Sequence, residues 1–292
     1  MLYSMTGFGR AEGNINNRQI VVEIKSLNGK QFEMSAKQLP PVLRSYELDL
    51  RNMLAAKLVR GNIDFNIAIK QDGASKPMVI NTDLAKYYYQ AMKQISHDLG
   101  VMEDNILSTI MRMPEVIIAD QDVLPEHEWQ QVIGLINKAA DQLMKHRQDE
   151  GAMLERDLLE KIGNIQALHE KILPLEPQRT EKIKAKLDQS LKTMVGAENV
   201  DANRFEQEII YYLERIDFSE EKIRLKQHCS YFMEAIAAEE VAKGKKLGFI
   251  LQEIGREINT LGSKANHADI QKIVIGMKDE LEKAKEQVLN VL

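Results

Sequence analysis

The chain has 292 residues, enough for two domains of ordinary size, and its 44% hydrophobic and 28% charged content is typical of a globular protein. Its single cysteine, Cys229, excludes an intrachain disulfide and a zinc site built from cysteines, and it favours a reducing, cytoplasmic location. The net charge of −5 argues against a broadly basic surface but not against a local basic groove. No apolar run approaches the roughly eighteen residues of a membrane span, and the N-terminus lacks a secretory signal, so no membrane association is expected.

The strand signals lie in the N-terminal quarter of the chain. Residues 19–27 and 31–37 each alternate between apolar and polar side chains, and the turn dipeptide Asn28-Gly29 separates them, which predicts a hairpin. Three more elements are predicted around this pair: a strand at residues 4–12, a helix at residues 42–58 and a strand at residues 62–69. The pattern therefore predicts an α+β fold in which a helix packs on one face of a mostly antiparallel sheet.

Helical patterns follow a surface turn at residues 72–77. On the first of these helices Tyr87-Tyr88-Tyr89 point in three directions, which favours core packing over base stacking. A run from Pro125 to residue 173 would exceed about 65 Å as one helix, so it is expected to break near Gly151 or Gly163 or to project as an arm. The other helices are predicted at residues 106–116, 178–194, 204–243 and 270–292.

These elements predict three consecutive parts of the chain. Residues 1–155 form an α+β domain that includes the start of the long helix, residues 156–203 a helical connector, and residues 204–292 an all-α C-terminal domain. The sequence contains no glycine motif for a dinucleotide or a phosphate and no internal repeat.

Residues 245–264 form the most distinctive helical stretch. Its apolar side chains recur at three- and four-residue steps and line one face: Leu247, Ile250, Leu251, Ile254, Ile258 and Leu261. The opposite face mixes short polar side chains with both signs of charge, and glycines interrupt the stretch at a cost of about 1 kcal/mol each relative to alanine. Because glycine allows close approach, this loss of helix stability suggests that a ligand or a partner lies close to the helix, as at a functional surface.

Two sets of polar side chains are candidates for chemistry. In the first, Asp217, Glu221, Arg224 and His228 follow at steps of four, three and four, which predicts one face of one helix. Carboxylates one turn apart can share a divalent cation, and the histidine can add a ligand or move a proton. The alternative is a ladder of surface ion pairs.

The second set lies on the distinctive stretch and consists of Glu253, Arg256, Glu257, Asn259 and Lys264. If the two helices pack antiparallel around Gly244, both sets face one cleft. Such a cleft suits metal-assisted phosphodiester hydrolysis, with carboxylates holding Mg²⁺ or Mn²⁺ and arginine neutralising the phosphate. The alternative is a buried salt-bridge network that locks the helices together. Phosphate contacts are also predicted for the basic turn Lys243-Gly244-Lys245-Lys246 and for Arg60.

Motifs along the whole chain match a known family. Residues 244–264 fit the signature GKKLDF-x-x-QE-x-x-RE-x-NT-x-x-SK, and residues 203–228 fit the pattern NR-x-x-QE…ERID-x-x-EE-x-x-RL-x-x-H. Shorter matches are found at residues 4–9, 23–28, 60–61 and 147–151. With these motifs the chain resembles the YicC family of bacterial endoribonucleases.

The resemblance implies cleavage of single-stranded RNA with a divalent cation, Mg²⁺ or Mn²⁺, by a homo-hexamer that encloses RNA between its N-terminal and C-terminal regions. Helical spacing and the resemblance together give the candidate site. The candidate metal ligands are Asp217, Glu221, Glu253 and Glu257, and the candidate catalytic residues are Glu253, Glu257, His228 and Arg256. The candidate RNA-binding residues are Lys245, Lys246, Arg224, Asn259, Lys264 and Arg60.

Two positions depart from the family pattern. Gly248 stands where the family usually has an aspartate, and Gly29-Lys30 where it often has His-Arg. If that aspartate is a metal ligand, metal affinity or preference would differ in this chain, and Gly29 would remove a possible phosphate contact.

Two other kinds of function stay open at this point. A non-cleaving adaptor that delivers RNA to another nuclease would bind RNA in a salt-sensitive way without turnover. A helical scaffold would use the polar face only to lock subunits together and would bind no RNA.

Overall fold

A computed structural model of the chain describes residues 1–16, 18–36, 39–71, 79–100, 105–118, 125–195 and 202–292. Its N-terminal part contains four paired strands: β1 (Gly7–Ile15), β2 (Arg18–Leu27), β3 (Phe32–Ser35) and β4 (Gly61–Gln71). They lie in the order β1-β2-β4-β3, and only β3 runs parallel to its neighbour. The predicted hairpin of residues 19–27 with 31–37 is wrong, because β1 and β4 occupy both edges of β2 and leave β3 to pair with β4.

One face of this sheet is covered by helices. A 3₁₀ turn at Pro41–Tyr46 leads into α1 (Glu47–Leu58), which buries Leu50 and Leu54 against apolar residues of β2 and β4. The α+β class and the helical packing on the sheet are thereby confirmed.

A small insertion follows the sheet. It consists of β5 (Val79–Ile80) and β6 (Ile117–Ile118), which pair, with α2 (Thr82–Leu99) and α3 (Ile106–Ile110) between them. The predicted core packing of the three tyrosines is wrong, because α2 buries no residue and Tyr87 is 66% exposed. The predicted turn at residues 72–77 lies outside the described residues.

The long helix α4 (Glu126–Glu170) is continuous over 45 residues. The prediction that it breaks or projects as an arm is wrong, because it is packed along its length. Its first half contributes Val132, Ile136 and Leu143 to the core under the sheet. Its second half contributes Leu158, Ile162 and Ile165 to a separate C-terminal core. The predicted boundary at residue 155 falls within this helix.

The described residues after α4 contain five helices: α5 (Leu175–Val195), α6 (Ala202–Arg215), α7 (Ser219–Ala237), α8 (Gly244–Ala265) and α9 (Ala268–Val288). The predicted single helix over residues 204–243 is wrong. The chain breaks between α6 and α7, where Phe218 is buried under the Arg179 guanidinium and Ile216 O accepts a 2.8 Å hydrogen bond from Arg179 Nη2. None of the helices among the described residues is long and apolar enough to cross a membrane.

Candidate functional site

The site lies on the seam between α7 and α8, which pack antiparallel, the arrangement under which the two polar sets were expected to share a cleft. Glu221 near the start of α7 contacts Lys264 near the end of α8, at 2.8 Å, and Tyr231 near the end of α7 lies under Lys246 near the start of α8. The apolar stripe of α8 is buried, with Leu251, Ile254 and Ile258 fully inaccessible, so the polar face of this helix is turned toward the seam and solvent.

Three of the predicted residues meet at the middle of this seam. One ligand atom from each of His228, Glu253 and Glu257 lies within 4.8 Å of the other two. Among the residues that the structure describes, this is the one group of three or more histidine, cysteine or acidic side chains brought so close together. Sequence spacing predicts the face of His228 and the face of Glu253 and Glu257 separately. The antiparallel packing of α7 and α8 brings the two faces together.

The burial of this cluster is uneven. Glu257 is only 5% exposed, His228 is half-buried and Glu253 is exposed. Neither Glu257 nor His228 has a hydrogen bond or ion pair with another described residue, while Glu253 lies 3.9 Å from Arg256. The Glu257 oxygens are not among the fully enclosed unpartnered atoms of the described residues, so a cation from solution can reach them.

The donor set fits a divalent cation. Ligand atoms lie about 2.1 Å from Mg²⁺, so neighbouring ligands in an octahedral sphere are about 3 Å apart and opposite ones about 4.2 Å apart. The ligand atoms of the cluster lie within 4.8 Å of one another, close to this span, and the exposed Glu253 can adjust its position by a change of rotamer. Two carboxylates and one imidazole also match the ligand types of Mn²⁺ and later divalent metals.

Glu221 and Lys264 are engaged with each other rather than with the cluster. Glu221 is buried, its Oε1 accepts the 2.8 Å hydrogen bond from Lys264 Nζ, and its Oε2 has no partner among the described residues. Glu221 lies two helical turns from His228, and Lys264 two turns from Glu257. The pair therefore extends the polar seam and fixes the register of the two helices.

Asp217 is not on the same helix as Glu221. Helix α7 begins at Ser219, and Asp217 Oδ1 accepts hydrogen bonds from Ser219 Oγ at 2.8 Å and from Ser219 N at 3.3 Å. The predicted shared helical face is therefore wrong for this residue, because Phe218 turns the chain before the helix starts. Asp217 instead lines a shallow pocket with Arg179, Thr180, Leu213 and Glu214.

The predicted phosphate-binding residues divide into exposed and engaged groups. Arg224, Arg256 and Asn259 are exposed along the seam, and Arg224 forms an ion pair with Glu220. Lys245 and Lys246 lie over aromatic rings at the start of α8. Their neighbour in the basic turn, Lys243, is 1% exposed and donates to Ile236 O, so it is not available to a ligand.

Arg60 is also turned inward. Its Nη2 donates to Val291 O at 2.8 Å, its Nε is buried without a partner among the described residues, and burial lowers its pKa. Beside it the fully buried Arg147 of α4 donates to Arg60 O at 3.0 Å and to Leu58 O at 2.7 Å. Burial and the nearby Arg60 charge lower the pKa of Arg147 to about 10. Arg60 and Arg147 therefore link separate segments of the chain through backbone carbonyl groups.

Two glycines of α8, Gly255 and Gly262, allow its close packing on α9. An added Cβ would meet Val274 at 2.9 Å from Gly262 and Leu281 at 3.1 Å from Gly255, while Gly248 has only Val288, at 3.9 Å. The inference that glycine admits a ligand to the polar face is wrong, since the close neighbour is α9. Gly248 therefore faces α9 rather than the cluster.

Two residues of the site were missed by sequence reasoning. Tyr231 and Phe249 are 46% and 56% exposed and border the seam next to the cluster. Helical spacing could have found both, because Tyr231 follows His228 by three residues and Phe249 precedes Glu253 by four.

Comparison with known families places the chain among endoribonuclease-like proteins. The family described as "Endoribonuclease YicC-like, N-terminal region" matches residues 2–156, and "Endoribonuclease YicC-like, C-terminal" matches residues 172–292. The chain therefore belongs to the YicC-like endoribonuclease family, and the resemblance seen in its motifs is confirmed.

Two relatives show the same likeness over their full length. The chain is 29% identical over 296 aligned residues to a protein of Clostridioides difficile (strain 630) named "Probable endoribonuclease YicC". It is 30% identical over 292 residues to a protein of Haemophilus influenzae with the same name. Both alignments cover 100% of this chain and of the relative.

Proposed function

We propose that this chain is an endoribonuclease that cleaves single-stranded RNA with a divalent cation held by His228, Glu253 and Glu257. The observation that carries the proposal is the buried, unpartnered Glu257 within 4.8 Å of an imidazole and a second carboxylate. Family membership supplies the reaction class, because both relatives carry the name of an endoribonuclease.

The side chains around the cluster have complementary roles in this proposal. A bound cation would stabilise charge on the phosphate and lower the pKa of a coordinated water. The exposed guanidinium groups of Arg224 and Arg256 bind phosphate oxygens on either side of the seam, and Arg256 neutralises the charge that develops during cleavage. Lys245 and Lys246 bind the RNA backbone two turns before Glu253, and Asn259 orients the substrate.

The ligand set favours Mn²⁺ over Mg²⁺. Mg²⁺ is usually held by one or two carboxylates and keeps several waters, whereas an imidazole nitrogen suits later transition metals. Because His228 supplies an imidazole nitrogen, we expect the site to bind Mn²⁺ more tightly than Mg²⁺.

Conversion of Glu257 to Gln tests the proposal. Purified protein is incubated with labelled single-stranded RNA in Mn²⁺, in Mg²⁺ and in chelator, and binding of Mn²⁺ is measured by calorimetry. We expect Glu257→Gln and Glu253→Gln to lower metal-dependent cleavage by at least about 100-fold and to weaken Mn²⁺ binding, because each removes a charged ligand.

The matched control is Glu286→Gln on α9, an exposed glutamate with no ion pair to a described residue. It should cleave as the unaltered protein does. Full cleavage by Glu257→Gln and Glu253→Gln would overturn the assignment. RNA binding without cleavage in any metal would instead identify the chain as an adaptor.

The homo-hexamer and the cytoplasmic location implied by the resemblance and by cysteine content stay predictions. Assembly is supported by exposed apolar side chains of the α2–α3 insertion, where Ile95, Leu99 and Leu107 are 57%, 71% and 75% exposed. Exposed apolar surface is typical of protein interfaces where it is contiguous. Light scattering on the purified protein tests the assembly, and a monomer would contradict it.

A further inference from the structure

Two exposed aromatic rings, each with a lysine over it, lie at one end of the His228–Glu253–Glu257 cluster. Lys246 Nζ is 5.7 Å from the centre of the Tyr231 ring, and Lys245 Nζ is 5.9 Å from the centre of the Phe249 ring. Both rings keep about half of their surface open to solvent. Contact between an apolar ring and water is unfavourable. Two exposed rings beside a charged cluster are therefore typical of a binding surface.

Helical geometry fixes where the rings stand. Tyr231 lies one turn beyond His228 on α7, and Phe249 lies one turn before Glu253 on α8. Because the helices are antiparallel, both displacements point the same way, toward the turn that joins α7 to α8. The rings are therefore immediate neighbours of the cluster on one side, and the arginines Arg224 and Arg256 occupy the other.

Each aromatic ring has a lysine ammonium group beside it, and in a nucleic acid strand each base likewise has a phosphate beside it. Single-strand binding surfaces combine aromatic faces, on which bases stack, with cations that follow the backbone. An open groove beside Tyr231 adds polar side chains, Gln227, Ser230 and Glu234, that can reach base edges. Lys245 and Lys246 are long enough to turn from the rings to phosphate oxygens.

We propose that Tyr231 and Phe249 are a stacking platform for unpaired nucleobases next to the phosphate at the cluster, and that they select single-stranded over duplex RNA. The inference rests on the proposed function for its substrate class, but it concerns binding and not cleavage. Bases inside a duplex are already stacked and paired, so they cannot lie on the rings. A strand with exposed bases can bind rings and lysines together.

The test is a binding measurement in chelator, where no metal-dependent cleavage occurs. Fluorescence anisotropy gives the affinity for a short single-stranded RNA and for an abasic RNA of equal length, and a 2-aminopurine base in the first RNA reports stacking by its quenching. The variants are Tyr231→Ala, Phe249→Ala and Phe249→Trp. The control is Tyr89→Ala on α2, since Tyr89 has the same 46% exposure as Tyr231.

We expect each alanine variant to bind the single-stranded RNA about tenfold more weakly, to lose quenching and to bind abasic RNA nearly unchanged. Phe249→Trp restores both signals because it keeps an aromatic face, and Tyr89→Ala behaves as the unaltered protein does. Equal weakening for base-containing and abasic RNA, or no weakening, would overturn the platform. A change in particle mass in Phe249→Ala with unchanged RNA affinity would overturn it too, by assigning the rings to a protein interface.

The two proposals fail separately. If Glu257→Gln abolishes cleavage while Phe249→Ala binds RNA normally, the metal site stands and the platform is wrong. If the unaltered protein never cleaves RNA but quenching depends on Phe249, the platform stands and the proposed reaction is wrong.

Discussion

Two glycines of α4 allow a matched test of how the long helix is packed. Gly151 and Gly163 both lie inside the same continuous helix, so changing either to alanine gives the same gain in helix propensity, about 1 kcal/mol. Their surroundings differ. An added Cβ at Gly163 meets nothing within 4 Å, whereas at Gly151 it would lie 2.1 Å from Leu2 O and 2.8 Å from Tyr3 Cα.

The structure gives the expected magnitudes. Gly163→Ala should raise the free energy of unfolding by about 1 kcal/mol. Gly151→Ala must push the N-terminal backbone away by about 1 Å, which costs about 1–3 kcal/mol in overpacking. It also strains the hydrogen bonds from Leu2 N to Glu155 and from Ser4 N to Arg147 O, worth about 1 kcal/mol each. After the propensity gain, the net loss is about 2–4 kcal/mol.

Thermal and urea unfolding of the two variants and the unaltered protein measure this difference. We expect Gly163→Ala to unfold at a higher midpoint than the unaltered protein and Gly151→Ala at a lower one. Equal midpoints for the two variants, or a stabilised Gly151→Ala, would refute the close approach of the N-terminal segment to α4.

Two further predictions concern the site and its surroundings. Gly248→Asp should leave Mn²⁺ affinity unchanged in calorimetry and raise the melting temperature slightly, because the position faces Val288 with room to spare and aspartate is the better helix former; tighter metal binding would show that the family aspartate is a ligand. Burial lowers the pKa of His169, so the unfolded chain takes up its proton first as pH falls below about 6.5, and stability is lost between that pH and the lower pKa of the folded state. The urea midpoint should therefore fall less from pH 7.5 to 5.5 in His169→Asn than in the unaltered protein, and an equal fall in both would contradict this.

Local patterns predicted the elements that are set by local spacing. The apolar stripe of residues 247–261 is buried as its three- and four-residue steps indicated, and the alternating strand at residues 62–69 lies within β4. The candidate site was predicted in part for the same reason. His228, Glu253 and Glu257 meet because α7 and α8 pack antiparallel, whereas Asp217 precedes α7 and lies outside the face predicted for it.

The failures come from contacts between distant segments. Nothing in residues 31–37 shows that β1 and β4 occupy both edges of β2, so the turn signal of Asn28-Gly29 predicts the wrong partner for this strand. The break before α7 depends on Arg179, some forty residues upstream, which stacks on Phe218 and binds the carbonyl of Ile216. Gly151 looked like a helix breaker, although its role is to let the N-terminal backbone lie against the helix.

Because α4 is continuous, it fixes the relative rotation and the distance of the two hydrophobic cores to which it contributes. Leu143 at the end of one core and Leu158 at the start of the other are joined by unbroken helix. Each residue inserted between them would turn the second core by about 100° and shift it by about 1.5 Å. An insertion of about seven residues, two whole turns, would therefore keep the relative rotation of the two cores. Seven residues would restore the phase and move the two cores about 10 Å apart.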